Sequence, residues 1–252
     1  MRKVYNIYFS PTGTSEKAAK QIVKAFGCEP VTIDLCEEIH EEIHMEADSV
    51  CVFSVPCYGG RIPKAAAERL AHIHGENTPA VTAVTFGNRA YEDALLELAD
   101  LVKMQGFRVI AGGAMVTEHN IMHVFGQGRP DNSDNEEILK FSQEILKKLN
   151  QNDFSMPHLP GNRPYKEWHG SNMAILVDEE CCMGCGICAL KCPVNAISPD
   201  GLQRNEALCI NCMRCISICP QNVRRLPEAL VNGLIERLRP ACESRKNNEF
   251  YL

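Results

Sequence analysis

The sequence predicts an α/β chain with a doubly wound, parallel, five-stranded sheet over residues 1–150, then a linker and a small cysteine-rich domain. Two observations carry this expectation. Short apolar runs alternate with stretches of helical apolar spacing through the first 150 residues. Nine of the chain's 14 cysteines fall between Cys181 and Cys219.

The strands are read at 4–9, 31–35, 49–55, 80–86 and 107–116. Each is a nearly continuous apolar run, as in a sheet covered on both faces. Helices are read at 15–26, 62–73, 91–105 and 135–149. The acidic stretch 40–48 reads as a solvated connection. Residues 151–172 hold three prolines, two glycines and no periodicity, which marks a linker. It carries the only tryptophan, Trp168, and Tyr165, both expected to anchor it. Residues 173–226 contain a repeat, and 227–252 read as a helix (227–239) and a polar tail.

With 252 residues, 45% hydrophobic and 23% charged, the composition is that of a globular protein. A formal charge of -6 argues against a nucleic-acid partner, which needs a basic face. No apolar run approaches the roughly 18 residues of a membrane span. The first ten residues read as a strand and not a leader, so a cytoplasmic location is expected.

The repeat is the most specific signal. CMGCGICALKCP starts at Cys182 and CINCMRCISICP at Cys209, with every cysteine and the last proline at equal offsets. In C-x2-C-x2-C-x3-C-P, three thiolates wrap one iron–sulfur cubane and the fourth reaches the other cluster. The first cluster is therefore expected on Cys182, Cys185, Cys188 and Cys219. The second is expected on Cys209, Cys212, Cys215 and Cys192. Zinc, which takes separated cysteine pairs, fits this spacing poorly. Cys181 is out of register with the second half and is not expected to be a ligand. Cys28, Cys36, Cys51, Cys57 and Cys242 have no ligand spacing and read as structural thiols.

Ser10-Pro11-Thr12-Gly13-Thr14-Ser15 follows the first strand and opens the first helix. Backbone N–H groups there favour an anion, and the hydroxyls add donors. The stretch is neither G-x-G-x-x-G nor a lysine-bearing phosphate loop. Taken alone, it reads equally as a phosphate cradle or as a hydroxyl helix cap with no ligand.

IYFSPTGTSEKAA resembles the phosphate loop of flavodoxins, and the cysteine segment resembles the bacterial two-cluster ferredoxins. The first resemblance implies FMN, with its phosphate on Ser10, Thr12, Gly13, Thr14 and Ser15. It also implies two flavin-ring loops, VPCYGGRIP (Pro56, Tyr58, Gly59 and Gly60) and TFGNRAYED (Phe86, Gly87, Asn88 and Tyr91). Tyr58 or Tyr91 would stack on the ring, and the glycines would let backbone approach it. Arg61 and Arg89 read as ligands of reduced flavin or as solvated charge. His119 and His123, four apart beyond the fifth strand, read as loop residues, in a loop placed to cover the flavin. The second resemblance implies a small α+β domain with two [4Fe-4S] clusters.

The order of these parts resembles fused flavodoxin–ferredoxin proteins of anaerobes, as do YGGRIPKA and FGNRAYEDALLEL. That resemblance implies an electron relay between two clusters and FMN, serving an unidentified redox partner protein. The alternative is a reductase of a small-molecule acceptor such as a quinone, enone or nitro compound.

Overall fold

The computed structural model describes residues 2–252; Met1 lies outside the described residues. The first 150 residues form β1 (Val4–Tyr8), α1 (Thr14–Lys24), β2 (Val31–Asp34), β3 (Ile43–Met45), β4 (Val50–Pro56), α2 (Lys64–Leu70), β5 (Ile73–Gly75), β6 (Thr78–Phe86), α3 (Ala94–Met104), β7 (Phe107–Val116) and α4 (Asn132–Asn150). Then follow β8 (Leu176–Val177), α5 (Ile187–Leu190), α6 (Arg214–Ser217), β9 (Arg224–Arg225), α7 (Glu228–Cys242) and β10 (Glu249–Tyr251).

The main sheet runs β2-β1-β4-β6-β7-β10. Its first five strands are parallel. Counted among themselves they lie in the order 2-1-3-4-5, the flavodoxin-like doubly wound order. Every residue of β1, β4 and β6 is buried, as both-face coverage demands. Tyr5, Ile7 and Phe9 face one layer with Leu70, Leu95 and Leu98, beneath α2 and α3. Val4 faces the other layer, with Ile22, Ile138 and Ile145 from α1 and α4.

The structure departs from the expected five strands in two places. The polar tail ends in β10, which pairs antiparallel with β7 as a sixth strand. Phe250 there stacks on Phe141 with ring centroids 4.5 Å apart, and a Cβ on Gly113 would lie 3.3 Å from its ring. The other departure concerns the solvated connection and the last turn of the second helix. α2 stops at Leu70, and Ile73–Gly75 pairs in parallel with Ile43–Met45 as a separate two-stranded sheet. Ile73 and Met45 are buried, which supplies the apolar reason for that pairing.

In the C-terminal region β8 pairs antiparallel with β9. The repeat is visible in the backbone. α5 and α6 are four-residue helices, each entered through a left-handed residue after the second cysteine of its run. These are Gly186 (φ 68°) and Met213 (φ 64°). A non-glycine residue at positive φ is uncommon and costs conformational energy, so the cysteine geometry at Met213 overrides local preference.

The linker lies against the first domain. Asp93 accepts from Asn162 N at 2.8 Å and Lys166 N at 2.6 Å. Asp100 takes Arg163 at 2.6 and 2.8 Å and the Tyr165 hydroxyl at 2.5 Å. Arg61 donates to both Glu97 oxygens at 2.7 and 2.6 Å and to the Lys166 carbonyl at 2.7 Å. Arg89 pairs with Glu92 at 3.0 Å. Both arginines thus have structural partners, and Tyr165 anchors the linker.

The end of the first cysteine run and the start of the second dock on the first domain. Lys191 meets Glu37 at 2.8 Å and Asn195 donates to Glu38 at 2.7 Å. Arg69 donates to the Pro193 carbonyl, and Val194 and Ile210 pack on the core beneath α2 and α3. α7 then covers the 117–130 loop, setting Leu234 and Leu238 against Met122 and Phe125.

Arg245 ties the C-terminal segment to α4 through Asp131 at 2.8 Å. That side-chain bond, aided by the backbone N–H of Asp134, holds the Asp131 carboxyl down at about 2 from its ordinary 3.8. A depressed carboxyl stabilises fully above its unfolded value and loses that contribution as pH falls through its folded one. The wild type should therefore exceed Asp131→Asn in thermal midpoint above about pH 4, the gap closing toward pH 2. Midpoints recorded across that window check this; a constant gap would contradict it.

Candidate functional site

A pocket opens at the carboxyl ends of β1, β4, β6 and β7, where ligands of doubly wound sheets sit. It is lined by Thr12, Thr14 and Ser15, by Pro56, Cys57 and Tyr58, by Thr85, Phe86 and Gly87, and by Thr117–Asn120. No lysine or arginine lines it.

The β1–α1 turn is shaped by Gly13, whose φ of 84° favours a residue without a Cβ. Ser10 does not line the pocket; its Oγ accepts from Glu16 N, in the first turn of α1, at 2.9 Å. The Ser15 hydroxyl is pinned to Thr85 Oγ1 at 2.7 Å, and Ser54 donates to the Ser15 carbonyl at 3.0 Å. Among the described residues, the N–H groups of Thr12, Thr14 and Ser15 have no acceptor. Ser10 thus satisfies one N–H of the helix's first turn, while Thr12, Thr14 and Ser15 line the pocket with three N–H groups that have no acceptor among the described residues.

The expected ring loops hold surprises. A Cβ on Gly59 would lie 2.4 Å from the Trp168 indole, one on Gly60 1.8 Å from Glu92 Oε2, and one on Gly87 2.5 Å from His119 Cδ2. Each missing Cβ makes room for a side chain. Asn88 and Tyr91 do not line the pocket. The Asn88 amide donates to the carbonyls of Cys242 (2.6 Å) and Ser244 (3.0 Å) and accepts from Lys246 N (3.0 Å). The Tyr91 hydroxyl bonds Glu249 at 2.5 Å and Tyr251 at 2.8 Å. Both residues brace the ring loop against the C-terminal segment. That segment's part was hidden in the sequence because the returning strand is only three residues long.

Tyr58 does line the pocket and is half-buried there. Burial first, then the thiols of Cys212 and Cys36, push its pKa far above the usual range. Cys57 is raised to about 12, chiefly by burial, and its thiol points at the Tyr91 carbonyl at 3.5 Å. It is a protonated, structural thiol.

His119 is the pocket residue that the sequence placed only in a covering loop. Its Nδ1 accepts from the backbone N–H of Ile121 (3.1 Å) and Met122 (3.2 Å). Burial, and then the charge of His123, lower its pKa to about 4, so the ring is neutral at pH 7. With Nδ1 accepting, the proton sits on Nε2. Its neighbour Glu118 turns aside, accepting from Gly128 N at 3.0 Å and pairing with His123 at 2.7 Å.

Two further small cavities, of about 20 Å³ each, lie in the cysteine region. Cys182, Cys185, Cys188 and Cys219 line the first. Cys192, Cys209, Cys212 and Cys215 line the second. Each cavity is thus lined by three cysteines of one run and one of the other, and Cys181 lines neither. Cys185 is exposed, whereas Cys212 and Cys215 are buried. The second cavity is the one docked on the first domain, through Pro193, Val194 and Ile210.

The family model of the 4Fe-4S binding domain matches twice, at residues 175–198 and 202–225. The cysteine region is a ferredoxin-type 4Fe-4S domain. This ferredoxin-type domain holds both cysteine-lined cavities, and the flavodoxin-like domain holds the pocket beside it. Among solved structures, the chain is similar to rubredoxin oxygen:oxidoreductase from the anaerobe Desulfovibrio gigas at 18% identity and TM-score 0.44, covering 60% of this chain and 37% of that one. It is similar to oxidised flavodoxin 1 from Bacillus cereus at 17% identity and TM-score 0.42, covering 57% and 97%. A flavodoxin from the domain Archaea shows 11% identity and TM-score 0.41, covering 60% and 99%. The chain thus spans well under half the length of the Desulfovibrio protein. The comparison with curated proteins yields no match. Among the described residues no helix is long and apolar enough to cross a membrane.

Proposed function

We propose that the chain is a cytoplasmic electron relay between two [4Fe-4S] clusters and FMN, exchanging electrons with a redox partner protein. Cys182, Cys185, Cys188 and Cys219 would hold the first cluster, and Cys192, Cys209, Cys212 and Cys215 the second. Each cluster exchanges one electron, whereas bound FMN takes one or two. The observation that carries the reading is the seating of the second cavity on the flavodoxin-like domain: Pro193, Val194 and Ile210 line that cavity, Val194 and Ile210 pack on the core beneath α2 and α3, and Arg69 donates to the Pro193 carbonyl. The linker's bonds to Asp93 and Asp100 support a fixed separation of the two sites.

FMN fits the pocket by its donors. The free N–H groups of Thr12, Thr14 and Ser15, at the start of an 11-residue helix, suit a phosphate monoester that stays bound. Pro56, Tyr58, Phe86 and Gly87 supply apolar walls for a flat ring. Thr12→Asp should weaken FMN binding by about tenfold or more and leave riboflavin binding and iron content unchanged. Like charges about 4 Å apart, even at an effective dielectric of about 20, cost more than the roughly 1.4 kcal/mol that tenfold requires. Fluorescence titration with both flavins tests this; equal losses for the two, or none, would contradict a phosphate at this turn.

His119 favours a second reading, the reduction of a quinone, enone or nitro compound in the same pocket. Its fixed Nε2–H offers a neutral donor to a reacting oxygen without charging the pocket. Under this reading, His119→Phe slows oxidation of the reduced protein by a quinone but not by a protein acceptor. Equal rates with the quinone would set the reductase reading aside.

A further inference from the structure

The two cysteine-lined cavities differ in the charges that face them. The first is lined by one cation, Arg224, and one carboxylate, Asp200. Arg224 donates to the Gly201 carbonyl, and Asp200 accepts from Ser198 and Leu202 N. The second is lined by two arginines, Arg204 and Arg214, and by no carboxylate. The formal charge of the lining is therefore +1 − 1 = 0 at the first cavity and +2 at the second.

The two arginines also carry donors with nothing to donate to. Arg204 Nη1 and Arg214 Nε are buried and have no partner among the described residues. The side chains are only 9% and 13% exposed. Their nearest carboxylates stand outside the cavity. Glu206 reaches only Arg204 Nη2 at 3.2 Å, and Glu37 reaches only Arg214 Nη2 at 3.9 Å. A buried guanidinium N–H without an acceptor is costly, and such a group needs an explanation. An anionic group in the cavity would provide the missing acceptors.

Resting on the cluster reading above, we infer that Arg204 and Arg214 donate to sulfur atoms of the second cluster and make it the easier of the two to reduce. Net charge, hydrogen bonds to sulfur and solvent exposure set cluster potentials. Reduction adds negative charge, so two adjacent cations and two charge-assisted bonds favour the reduced form. Burial of Cys212 and Cys215 works the other way, by withholding water from that charge. The arginines outweigh it, because the same loss of solvent removes the screening of their charge. Arg224 does not level the two sites, because Asp200 lines the same cavity and offsets its charge. Electrons arriving at the first cavity, around exposed Cys185, would therefore settle at the second, which docks on the flavodoxin-like domain.

The test is an EPR-monitored redox titration of the full-length, reconstituted protein, wild type and Arg204→Met/Arg214→Met. Two reduction waves are expected in the wild type. In the double variant the higher-potential wave should move to lower potential while the other stays in place. Arg204→Lys/Arg214→Lys, which keeps the charge and the fold's side-chain length, should shift the same wave by less. Cys192→Ala, which removes a second-cluster ligand, should delete the higher-potential wave. Movement of the lower wave alone, immobility of both in the methionine variant, or deletion of the lower wave by Cys192→Ala would overturn the inference and leave the cluster reading standing. Absence of any cubane signal in the wild type would overturn both.

Discussion

Replacing Cys192 with alanine is expected to remove the second cluster and spare the first. The expectation runs against sequence order, because Cys192 belongs to the first cysteine run. Its thiol nonetheless lines a cavity with Cys209, Cys212 and Cys215, and the cavity of Cys182, Cys185 and Cys188 is completed by Cys219. Bound iron should fall by roughly four atoms of eight, the content of one cubane. Cys192 Sγ also accepts from Ala196 N at 3.3 Å, so a modest local loosening accompanies the loss. Iron analysis and EPR of the reconstituted variant are the checks. Loss of the first cluster with retention of the second would overturn the crossed ligand sets.

The largest stability effect outside the cysteine region should come from Asp134. Burial raises its carboxyl, but bonds from Arg129, the Asp131 N–H and Asn248 outweigh that and hold it below its ordinary value. The side chains of Arg129 and Asp134 are 5% and 1% exposed. Asp134 closes the capping box of α4, while Arg129 donates to the Lys246 carbonyl at 2.6 Å. One buried pair thus fastens α4, the pocket's 117–130 loop and the C-terminal segment. Asp134→Ala strands a buried guanidinium and should cost about 3–5 kcal/mol. Asp134→Leu combined with Arg129→Met removes both charges and should cost markedly less, since no charge is left unpaired. Denaturant unfolding of the two variants measures the difference. Equal losses would show that the pair acts as shape and not as charge.

How much of this was legible follows from the kind of signal each part leaves. Four of the five parallel strands are nearly unbroken apolar runs, a pattern that survives without tertiary information, and β2, a four-residue strand with exposed residues, is read from its place in the alternation. The cysteine repeat is legible because spacing is itself the geometry of the cage. β10 is not legible, because Glu249–Tyr251 is too short for a period and is held by Phe141, Gly113 and Tyr91 from distant parts of the chain. The roles of Asn88 and Tyr91 follow from that strand and were hidden with it. His119 and Trp168 lie in aperiodic segments whose paths are set by tertiary packing. Their only local trace is the glycine each one covers, Gly87 and Gly59. The turn at Ser10–Ser15 was half legible. Its position after β1 puts it at the sheet's carboxyl end, but only the three-dimensional arrangement separates Ser10, which accepts from Glu16 N, from Thr12 and Thr14, which line the pocket.

The claim that the pocket and the second cavity form one relay is tested most directly by the kinetic order of internal electron transfer. Anaerobic stopped-flow mixing of the holoprotein with a limiting one-electron reductant, repeated at several protein concentrations, gives that order. The account predicts cluster bleaching followed by loss of flavin absorbance, at a rate constant independent of protein concentration and abolished by Cys192→Ala. A flavin rate that scales with protein concentration, or that persists without the second cluster, would contradict it.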